Sequence, residues 1–299
     1  MSTLSLSAHA KINLFLDITG RRPDGYHTIS GVMQSISLAD TVTLTLTPIA
    51  EDETPRHTLT CTNPDLPTDG KNLALRAAEA FFGVTGTGNT HLHVHIEKHI
   101  PAAAGMAGGS TDAAAVLKGL NELMGHPLTH EALCRVGLSL GADVPFCITG
   151  GAQITEGVGE ILTPCAQLPP CYLVVACAGE GVSTPAAYKK LDELYGNFDG
   201  TAYVPKAEAL AAQLQALDDG DLVGAGKSAY NIFESAVLPT HSKAGYIKRA
   251  LASAGAIFAM MSGSGPSVFG VFDDENAAQA AADKLTREAI PAWVCKPIG

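Results

Sequence analysis

The sequence predicts an α+β protein of two domains, with a β-rich N-terminal half and a C-terminal half built on a split βαβ pattern. Its 299 residues exceed one ordinary core and suit two domains of about 150 residues each. Alternating apolar residues dominate the opening of the chain, whereas strand and helix patterns follow each other after a proline-containing stretch at 164–170. We therefore expect domains at 1–164 and 165–299.

The composition indicates an ordered, well-packed protein. Hydrophobic residues make up 46% of the chain, charged residues 16%, and the formal net charge is -11. This acidic balance argues against binding to DNA or RNA, and the longest apolar runs are too short to cross a bilayer. No secretory signal is evident, and the seven cysteines include no Cys-x-x-Cys pair. We expect a cytoplasmic protein with reduced thiols, no nucleic-acid or membrane partner, and a monomeric or weakly dimeric state.

Strand patterns open the chain and recur in the C-terminal half. Residues 4–17 mix β-forming residues with Lys11 and Asn13, and a strand places both polar side chains on one face. A turn signal then precedes Tyr26 and His27. Period-two alternation or short apolar runs predict further strands at 28–38, 40–48, 91–101, 171–177, 256–261, 268–272 and 292–296.

Helices are predicted where apolar residues recur at helical spacing next to capping residues. Thr129 precedes one helix as an N-cap, and Ser183 followed by Pro185 marks the start of another at 184. The other predicted helices cover 72–82, 111–124, 130–140, 207–217, 240–254 and 276–288. The glycines at 220–228 lack the first glycine of a phosphate loop, so we interpret them as a helix connection. Helices on one face of the later strands predict a ferredoxin-like C-terminal domain.

Three histidines, His91, His93 and His95, share one face of a predicted strand, and this spacing suits metal ligands. The intervening apolar residues already supply the buried face of that strand. The histidines therefore most simply form a solvated face. The alternative is a metal site whose remaining ligands the sequence does not identify.

A run of small residues at 101–112, the first glycine loop, feeds directly into a predicted helix. The first N–H groups of a helix are unpaired and lie at the positive end of its dipole, so they bind anions. We interpret that anion as phosphate, although the glycines could equally make only a tight turn. The loop lacks the Gly-Lys-Ser/Thr ending of a P-loop, so a lysine that serves the phosphates must come from elsewhere.

Two further features are site candidates. Asp143 follows a helix end, and Pro145 disfavours helix at Val144, which leaves Asp143 on a loop. It is either a turn residue with a local backbone hydrogen bond or a catalytic carboxylate. A second glycine loop, at 262–267, lets its backbone approach either another backbone or a ligand.

Three motifs now stand in a fixed order: Lys-x-Asn near the start, Pro-x-x-x-Gly-Met-Ala-Gly-Gly-Ser-Thr before a helix, and Gly-Ser-Gly-Pro-Ser near the end. Together they resemble the signature motifs of the GHMP kinases, small-molecule kinases named for galactose, homoserine, mevalonate and phosphomevalonate. A closer resemblance, to members that act on a cytidine diphosphate-linked alcohol, is carried by residues 10–16, 22–27, 140–146, 156–160 and 184–188. The resemblance implies the two-domain GHMP kinase fold with an N-terminal ATP-binding domain.

The resemblance also implies the chemistry. ATP is the implied phosphoryl donor, with Mg²⁺ carried on the nucleotide, and a substrate hydroxyl is the acceptor. Asp143 is the implied catalytic base and Lys11 the cation beside it. The implied ATP-binding residues are Pro101, Ala102, Ala103, Ala104, Gly105, Met106, Ala107, Gly108, Gly109, Ser110 and Thr111. The implied substrate-binding residues are Asn13, Tyr26, His27, Thr184 and Tyr188. Both tyrosines would stack on a cytosine, and the histidine would hydrogen-bond to it.

The chain departs from the family pattern at two places. Alanines occupy 102–104 and 107 where many relatives carry extra glycines. Alanine at 107 can still leave N–H groups free if its φ is negative, so we expect ATP binding to persist. Tyr188 stands where phenylalanine can occur, and stacking tolerates this change. The alternatives are a GHMP kinase for another alcohol, such as mevalonate or a sugar, and a catalytically silent nucleotide-binding protein on the same fold.

Overall fold

The computed structural model describes residues 1–50, 53–86, 89–179, 181–198, 200 and 202–299. The chain forms two compact units, and each is assembled from separate stretches of sequence. The first unit comprises Met1–Ala10, Ala39–Ala102 and Ala107–Thr149. The second unit comprises Lys11–Leu38, Ala103–Met106 and Gly150–Gly299.

Strands and helices occur in both units. The strands are β1 (Ser2–Arg21), β2 (His27–Pro48), β3 (His57–Cys61), β4 (Thr90–Glu97), β5 (Ala152–Glu156), β6 (Ile161–Pro164), β7 (Tyr172–Ala176), β8 (Tyr230–Asn231), β9 (Phe258–Met261), β10 (Val268–Phe272) and β11 (Ala292–Cys295). The helices are α1 (Leu73–Thr85), α2 (Gly108–Leu123), α3 (His130–Leu140), α4 (Val144–Thr149), α5 (Thr184–Tyr195), α6 (Ala207–Asp218), α7 (Leu222–Ser228), α8 (Phe233–Val237), α9 (Ser242–Ser253) and α10 (Glu275–Arg287).

In the first unit, helices α1 to α4 pack together beside a sheet of order β3-β4-β2-β1. This sheet uses the first half of β1 and the second half of β2. The apolar residues of the strands, such as Leu44 and Val94, are fully buried because they alternate with polar residues that face outward. Helix α2 packs closely on the sheet at Gly119, where a Cβ would lie 2.6 Å from Leu44 Cδ1.

In the second unit, the other halves of β1 and β2 gain new partners. Strand β8 pairs parallel with β1, and the hairpin β5–β6 pairs antiparallel with β2. A separate four-stranded antiparallel sheet has the order β11-β7-β10-β9. Helices α9 and α10 pack on it, over buried residues such as Val174, Val268 and Phe272. Numbered along the chain, its strands follow the order 4-1-3-2, which is the ferredoxin-like arrangement.

The predicted α+β class, with a mixed sheet followed by a ferredoxin-like sheet, is confirmed. The predicted boundary after residue 164 stays a prediction. Two element predictions were wrong. Residues 28–38 and 40–48 belong to one continuous strand, β2, because no breaker interrupts the alternation at Ala39. Helix α4 was not expected, but Pro145 lies in its first turn, where a missing N–H costs no hydrogen bond.

Short strands β3 and β8 were also missed. Each is brief and takes its hydrogen bonds from a distant partner, β4 or β1, so its own sequence carries little signal. Among the described residues, no helix combines the length and apolar character that a membrane span requires.

Candidate active site

Lys11 and Asn13 form a buried polar pair in the middle of β1. Lys11 is 4% exposed and Asn13 is 1% exposed, and the Lys11 ammonium donates to Asn13 Oδ1 at 2.7 Å. No acceptor for Asn13 Nδ2 occurs within the described part of the chain. A buried donor without an acceptor costs about 1–3 kcal/mol. The pair is therefore suited to a ligand that supplies the missing acceptor.

The two glycine loops meet beside this lysine. Residues 103–106 of the first loop belong to the second unit, where the Ser262 hydroxyl donates to the Gly105 carbonyl at 3.0 Å. A Cβ on Gly105 would overlap the carbonyl oxygen of Ser262, and a Cβ on Gly263 would lie 3.3 Å from Lys11 Nζ. Both glycines also adopt positive φ, 76° and 58°. The sequence left open whether the backbone of the second glycine loop approaches another backbone or a ligand. In the structure it approaches another backbone.

Asn231 holds the second glycine loop in place, although the sequence alone does not reveal it. Its side chain is buried, with Nδ2 donating to the carbonyls of Met261 at 2.7 Å and Gly263 at 2.9 Å. Its Oδ1 accepts from the Phe233 amide at 3.0 Å. A lone asparagine between helices carries no motif, so only its tertiary contacts reveal this role.

Helix α2 begins at Gly108 rather than at the predicted Thr111, and its first amides are open. No side chain caps the helix, and the amides of Gly108, Gly109 and Ser110 donate to no residue in the described ranges. A Cβ on Gly109 would meet nothing within 4 Å. This open N-terminus fits a phosphate, because unpaired amides and the helix dipole both favour an anion.

Ala107 does not meet the condition of a negative φ, since it adopts φ 59°, in the left-handed region. Ala103 does the same with φ 51°. Such a conformation costs an alanine about 1–2 kcal/mol relative to the right-handed one. Both alanines therefore keep a glycine-like backbone, at an energetic cost that the surrounding structure must offset.

Asp143 lies in the first unit, on the turn between α3 and α4. Its backbone carbonyl accepts from the Cys147 amide at 3.1 Å, so the backbone starts α4. The side chain is half-buried, and its carboxylate makes no hydrogen bond or ion pair with any residue that the structure describes. The predicted local side-chain bond of a turn residue is thus not seen, and the carboxylate is free to act on a ligand.

The predicted base-binding residues come together only in part. The rings of His27 and Tyr188 stack, with centroids 4.7 Å apart and planes 15° apart, and His27 Nε2 lies 2.7 Å from Asp192 Oδ1. Tyr26 is 65% exposed, and no ring contact joins it to the described aromatic residues. The hydroxyl oxygen of Thr184 lies 2.8 Å from the hydroxyl oxygen of Ser264, in the second glycine loop.

A buried ionic cluster anchors both ends of the first glycine loop within the first unit. Lys98, which directly follows β4, pairs with Asp112 of α2 at 2.8 Å and with Asp40 of β2. Asp40 also accepts from the amides of His99 at 2.6 Å and Ile100 at 2.8 Å. These side chains are 0–6% exposed. The cluster could not be predicted from the sequence, because its members are dispersed and match no motif.

The cluster holds two carboxylates and one ammonium. Burial opposes the charge on Lys98, but Asp112 and Asp40 outweigh burial and raise its pKa. The pKa of Asp112 is raised to about 7, mainly by burial; the positive charge of Lys98 lowers it and the negative charge of Asp40 raises it. Asp40 has the two backbone donors, whereas Asp112 Oδ1 has no partner among the described residues. The Asp112 carboxyl therefore keeps its proton to a higher pH than an ordinary aspartate does.

A pH dependence of stability follows from Asp112. Between its unfolded pKa of about 4 and its native value of about 7, the native state binds the extra proton, so rising pH lowers the free energy of unfolding. This decrease in the free energy of unfolding is at most about 4 kcal/mol. The Asp112→Asn variant should not show the decrease, so its stability relative to the parent should rise between pH 5 and 8. Urea unfolding of both proteins tests this, and parallel pH profiles would contradict it.

The histidines of β4 bind neighbouring side chains. His93 lies 2.9 Å from the Thr58 hydroxyl and His95 lies 2.8 Å from the Thr60 hydroxyl, both on β3. His91 accepts from the Arg56 amide and lies 2.8 Å from Glu53. The three side chains are half-buried rather than fully solvated, because the missed strand β3 lies beside them. The metal alternative gains no support from these contacts.

The structure contains a glycine loop that opens a helix, a second glycine loop that packs on part of the first loop, and a buried lysine. Together these features define a class of small-molecule kinase. Residues 72–151 match the family model for the GHMP kinases N terminal domain, and residues 210–292 match the model for the GHMP kinases C terminal domain. The chain belongs to the GHMP kinase family, as its motifs predicted. It is a small-molecule kinase, and ATP is the phosphoryl donor that this family implies.

Two relatives that are similar over almost their whole length carry the same name. The 4-diphosphocytidyl-2-C-methyl-D-erythritol kinase of Gloeobacter violaceus is 43% identical over 298 residues, covering 99% of this chain and 95% of the relative. That of Alkaliphilus metalliredigens is 41% identical, covering 96% and 94%. A crystal structure of 4-(cytidine 5'-diphospho)-2C-methyl-D-erythritol kinase superposes with a TM-score of 0.77 and 31% identity, covering 99% of this chain and 100% of that one. The mevalonate kinase of L. major, at 18% identity and a TM-score of 0.72, shares the fold.

Proposed function

We propose that the chain transfers the γ-phosphoryl group of ATP to the 2-hydroxyl of 4-diphosphocytidyl-2-C-methyl-D-erythritol, in the non-mevalonate (MEP) route to isoprenoid precursors. The observation that carries this proposal is 43% identity, across 99% of the chain, to a relative of that name. The similarity extends through both family domains, so it includes the segments that would bind the donor and the acceptor.

On the donor side, Pro101–Thr111 of the first glycine loop binds the ATP phosphates. The open amides of Gly108, Gly109 and Ser110 donate to phosphate oxygens at the positive end of α2. Lys11 supplies the cation that a P-loop would carry in its own sequence. Mg²⁺ arrives with the nucleotide and neutralises phosphate charge when it is bound. We assign it no protein ligand.

On the acceptor side, Asp143 takes the proton of the 2-hydroxyl as the hydroxyl oxygen bonds to the γ-phosphorus. The bond from that phosphorus to the bridging oxygen breaks, and ADP leaves. Lys11 stabilises the charge on the transferred group. Asn13 uses its free Nδ2 to orient the substrate. The lack of a described partner for the Asp143 carboxylate supports its role as the base.

The cytidylyl end of the substrate is bound by residues of the second unit. Tyr26 and Tyr188 stack on the cytosine, and His27 hydrogen-bonds to its edge. Thr184, at the start of α5, is a further substrate-binding residue. The exposed ring of Tyr26 supports this assignment, since an aromatic face must be accessible to take a base. The ring of Tyr188 already stacks on His27, so the cytosine must share this ring with the imidazole.

An ADP-release assay tests the proposed function. Purified protein with ATP and Mg²⁺ should release ADP when the cytidylyl substrate is added, at a kcat/KM at least about 100-fold above those for mevalonate and galactose. Equal turnover with mevalonate or a sugar would assign another GHMP kinase activity. No turnover with any acceptor, from protein that still binds ATP, would favour the catalytically silent alternative.

Three expectations about the whole protein stay predictions. They are the domain boundary after residue 164, the cytoplasmic location, and the monomeric or weakly dimeric state. Analytical ultracentrifugation over a range of protein concentrations tests the last of these directly.

A further inference from the structure

We propose that Asp192 is a positioning residue that sets the tautomer of His27 and thereby selects cytosine over uracil in the substrate. This inference rests on the proposed function, because it concerns how the cytidylyl group is read. All the residues that carry it lie in the second unit.

The first observation is the contact between the carboxylate and the imidazole. His27 opens β2 and is 9% exposed, and its Nε2 lies 2.7 Å from Asp192 Oδ1 on α5. An ionised carboxylate has no hydrogen to donate, so the neutral imidazole must carry its hydrogen on Nε2 to make this bond. The opposite nitrogen, Nδ1, then presents a lone pair and acts as an acceptor.

The second observation is that the ring cannot turn freely. Tyr188 stacks on the His27 ring, and Phe198 lies perpendicular to it with centroids 5.6 Å apart. Asp192 is itself held, since its Oδ2 lies 3.5 Å from Arg21 Nη1. Arg21 in turn donates to Asn197 Oδ1 at 3.3 Å. The imidazole is thus fixed by packing on its face and by hydrogen bonding at Nε2.

The third observation is that, within the ranges that the structure describes, the His27 ring has its hydrogen bond at Nε2 and none at Nδ1. An acceptor at this position suits the exocyclic amine of cytosine, which donates. Uracil carries a carbonyl oxygen at the same ring position, so its lone pair would face that of Nδ1. A site built for one hydrogen-bonding pattern rejects a base that presents the reversed pattern, because a polar group is left unpaired.

Asp192→Asn tests the inference, because the asparagine amide can donate to Nε2 and so favour the other tautomer. The kinetic readout is the ratio of kcat/KM for the cytidine diphosphate-linked substrate to kcat/KM for its uridine analogue. We expect a ratio of at least about 100 for the parent and a fall of at least about tenfold in the variant. The loss should appear in KM for the cytidylyl substrate, with kcat at saturation changed by less than about threefold.

A spectroscopic readout reports the tautomer directly. Long-range ¹H–¹⁵N spectra of the imidazoles, with the His27 signals assigned by their absence in His27→Gln, should show the Nε2–H form in the parent. The Asp192→Asn protein should show an increased Nδ1–H population. Glu193→Gln is the matched control, since this exposed neighbour on α5 pairs only with Lys190 among the described residues and its loss should alter neither readout.

The outcomes separate this inference from the proposed function. An unchanged cytidine-to-uridine ratio in Asp192→Asn, or equal increases in KM for both substrates, would overturn the positioning role and leave Asp192 a structural residue. An Nδ1–H form in the parent would overturn it as well. Failure of the parent to phosphorylate the cytidylyl substrate would instead contradict the proposed function.

Discussion

Asparagine in place of Asp143 is expected to lower kcat by about 10²- to 10⁴-fold, which is the usual contribution of a positioned general base. Asparagine retains the size of aspartate and can still hydrogen-bond to a hydroxyl, but it cannot accept the proton at neutral pH. The KM for ATP should change by less than about threefold, because the proposed donor site uses other residues. Steady-state ADP release at saturating acceptor measures both quantities.

Asp221→Asn is the matched control for this experiment. Asp221 also precedes a short helix, α7, and its carboxylate accepts from the Gly224 amide at 2.9 Å. Asparagine is an equally good N-cap, so kcat and Tm should both stay at their parent values. If Asp143→Asn kept kcat within about tenfold of the parent, Asp143 would orient the hydroxyl rather than accept its proton, as a loose transition state permits.

Methionine in place of Lys98 should lower the free energy of unfolding by about 3–5 kcal/mol, because it leaves two buried carboxylates without their cation. Asp40 and Asp112 are 0% and 6% exposed, so water cannot compensate for the lost ammonium. Methionine is also unbranched and is one heavy atom shorter than lysine, which limits any cavity. Urea unfolding at pH 7 measures the loss, and a second Asp112→Asn substitution should recover part of it.

Lys190→Met is the control for charge removal alone. Lys190 lies 3.0 Å from Glu193, and both side chains are more than half exposed. An exposed pair contributes about 0–1 kcal/mol, so this variant should unfold close to the parent. A loss of less than about 1 kcal/mol in Lys98→Met would mean that the buried carboxylates take up protons at little cost, and that the cluster does not anchor the loop.

Much of the fold could be predicted because its elements carry local patterns. Helix α3 occurs at the predicted residues, with Thr129 accepting from the Ala132 amide as its N-cap. Strand β10 also has its predicted limits. The errors fall where tertiary pairing outweighs local signal. Strand β3 exists because β4 offers it a ladder, and α4 forms even though Pro145 suggested an interruption.

Some residues of the candidate site could be predicted from local motifs, and others only from tertiary contacts. Lys11, Asn13 and the two glycine loops could be named in advance, because each lies in a contiguous motif whose residue types have a chemical reason. Asp192 could not be named, since it lies 165 positions from His27 and follows no motif. Asn231 and the Lys98 cluster were missed for that reason too.

The sequence by itself determined the class of protein, the order of its motifs and most of its secondary structure. Periodicity, capping and glycine placement act over a few residues, so they can be read without the fold. Only the tertiary structure decided that the two glycine loops meet at Gly105 and Ser262, that Ala107 takes a positive φ, and that a carboxylate holds the His27 ring. These features depend on which distant surfaces pack together, and no local pattern encodes that packing.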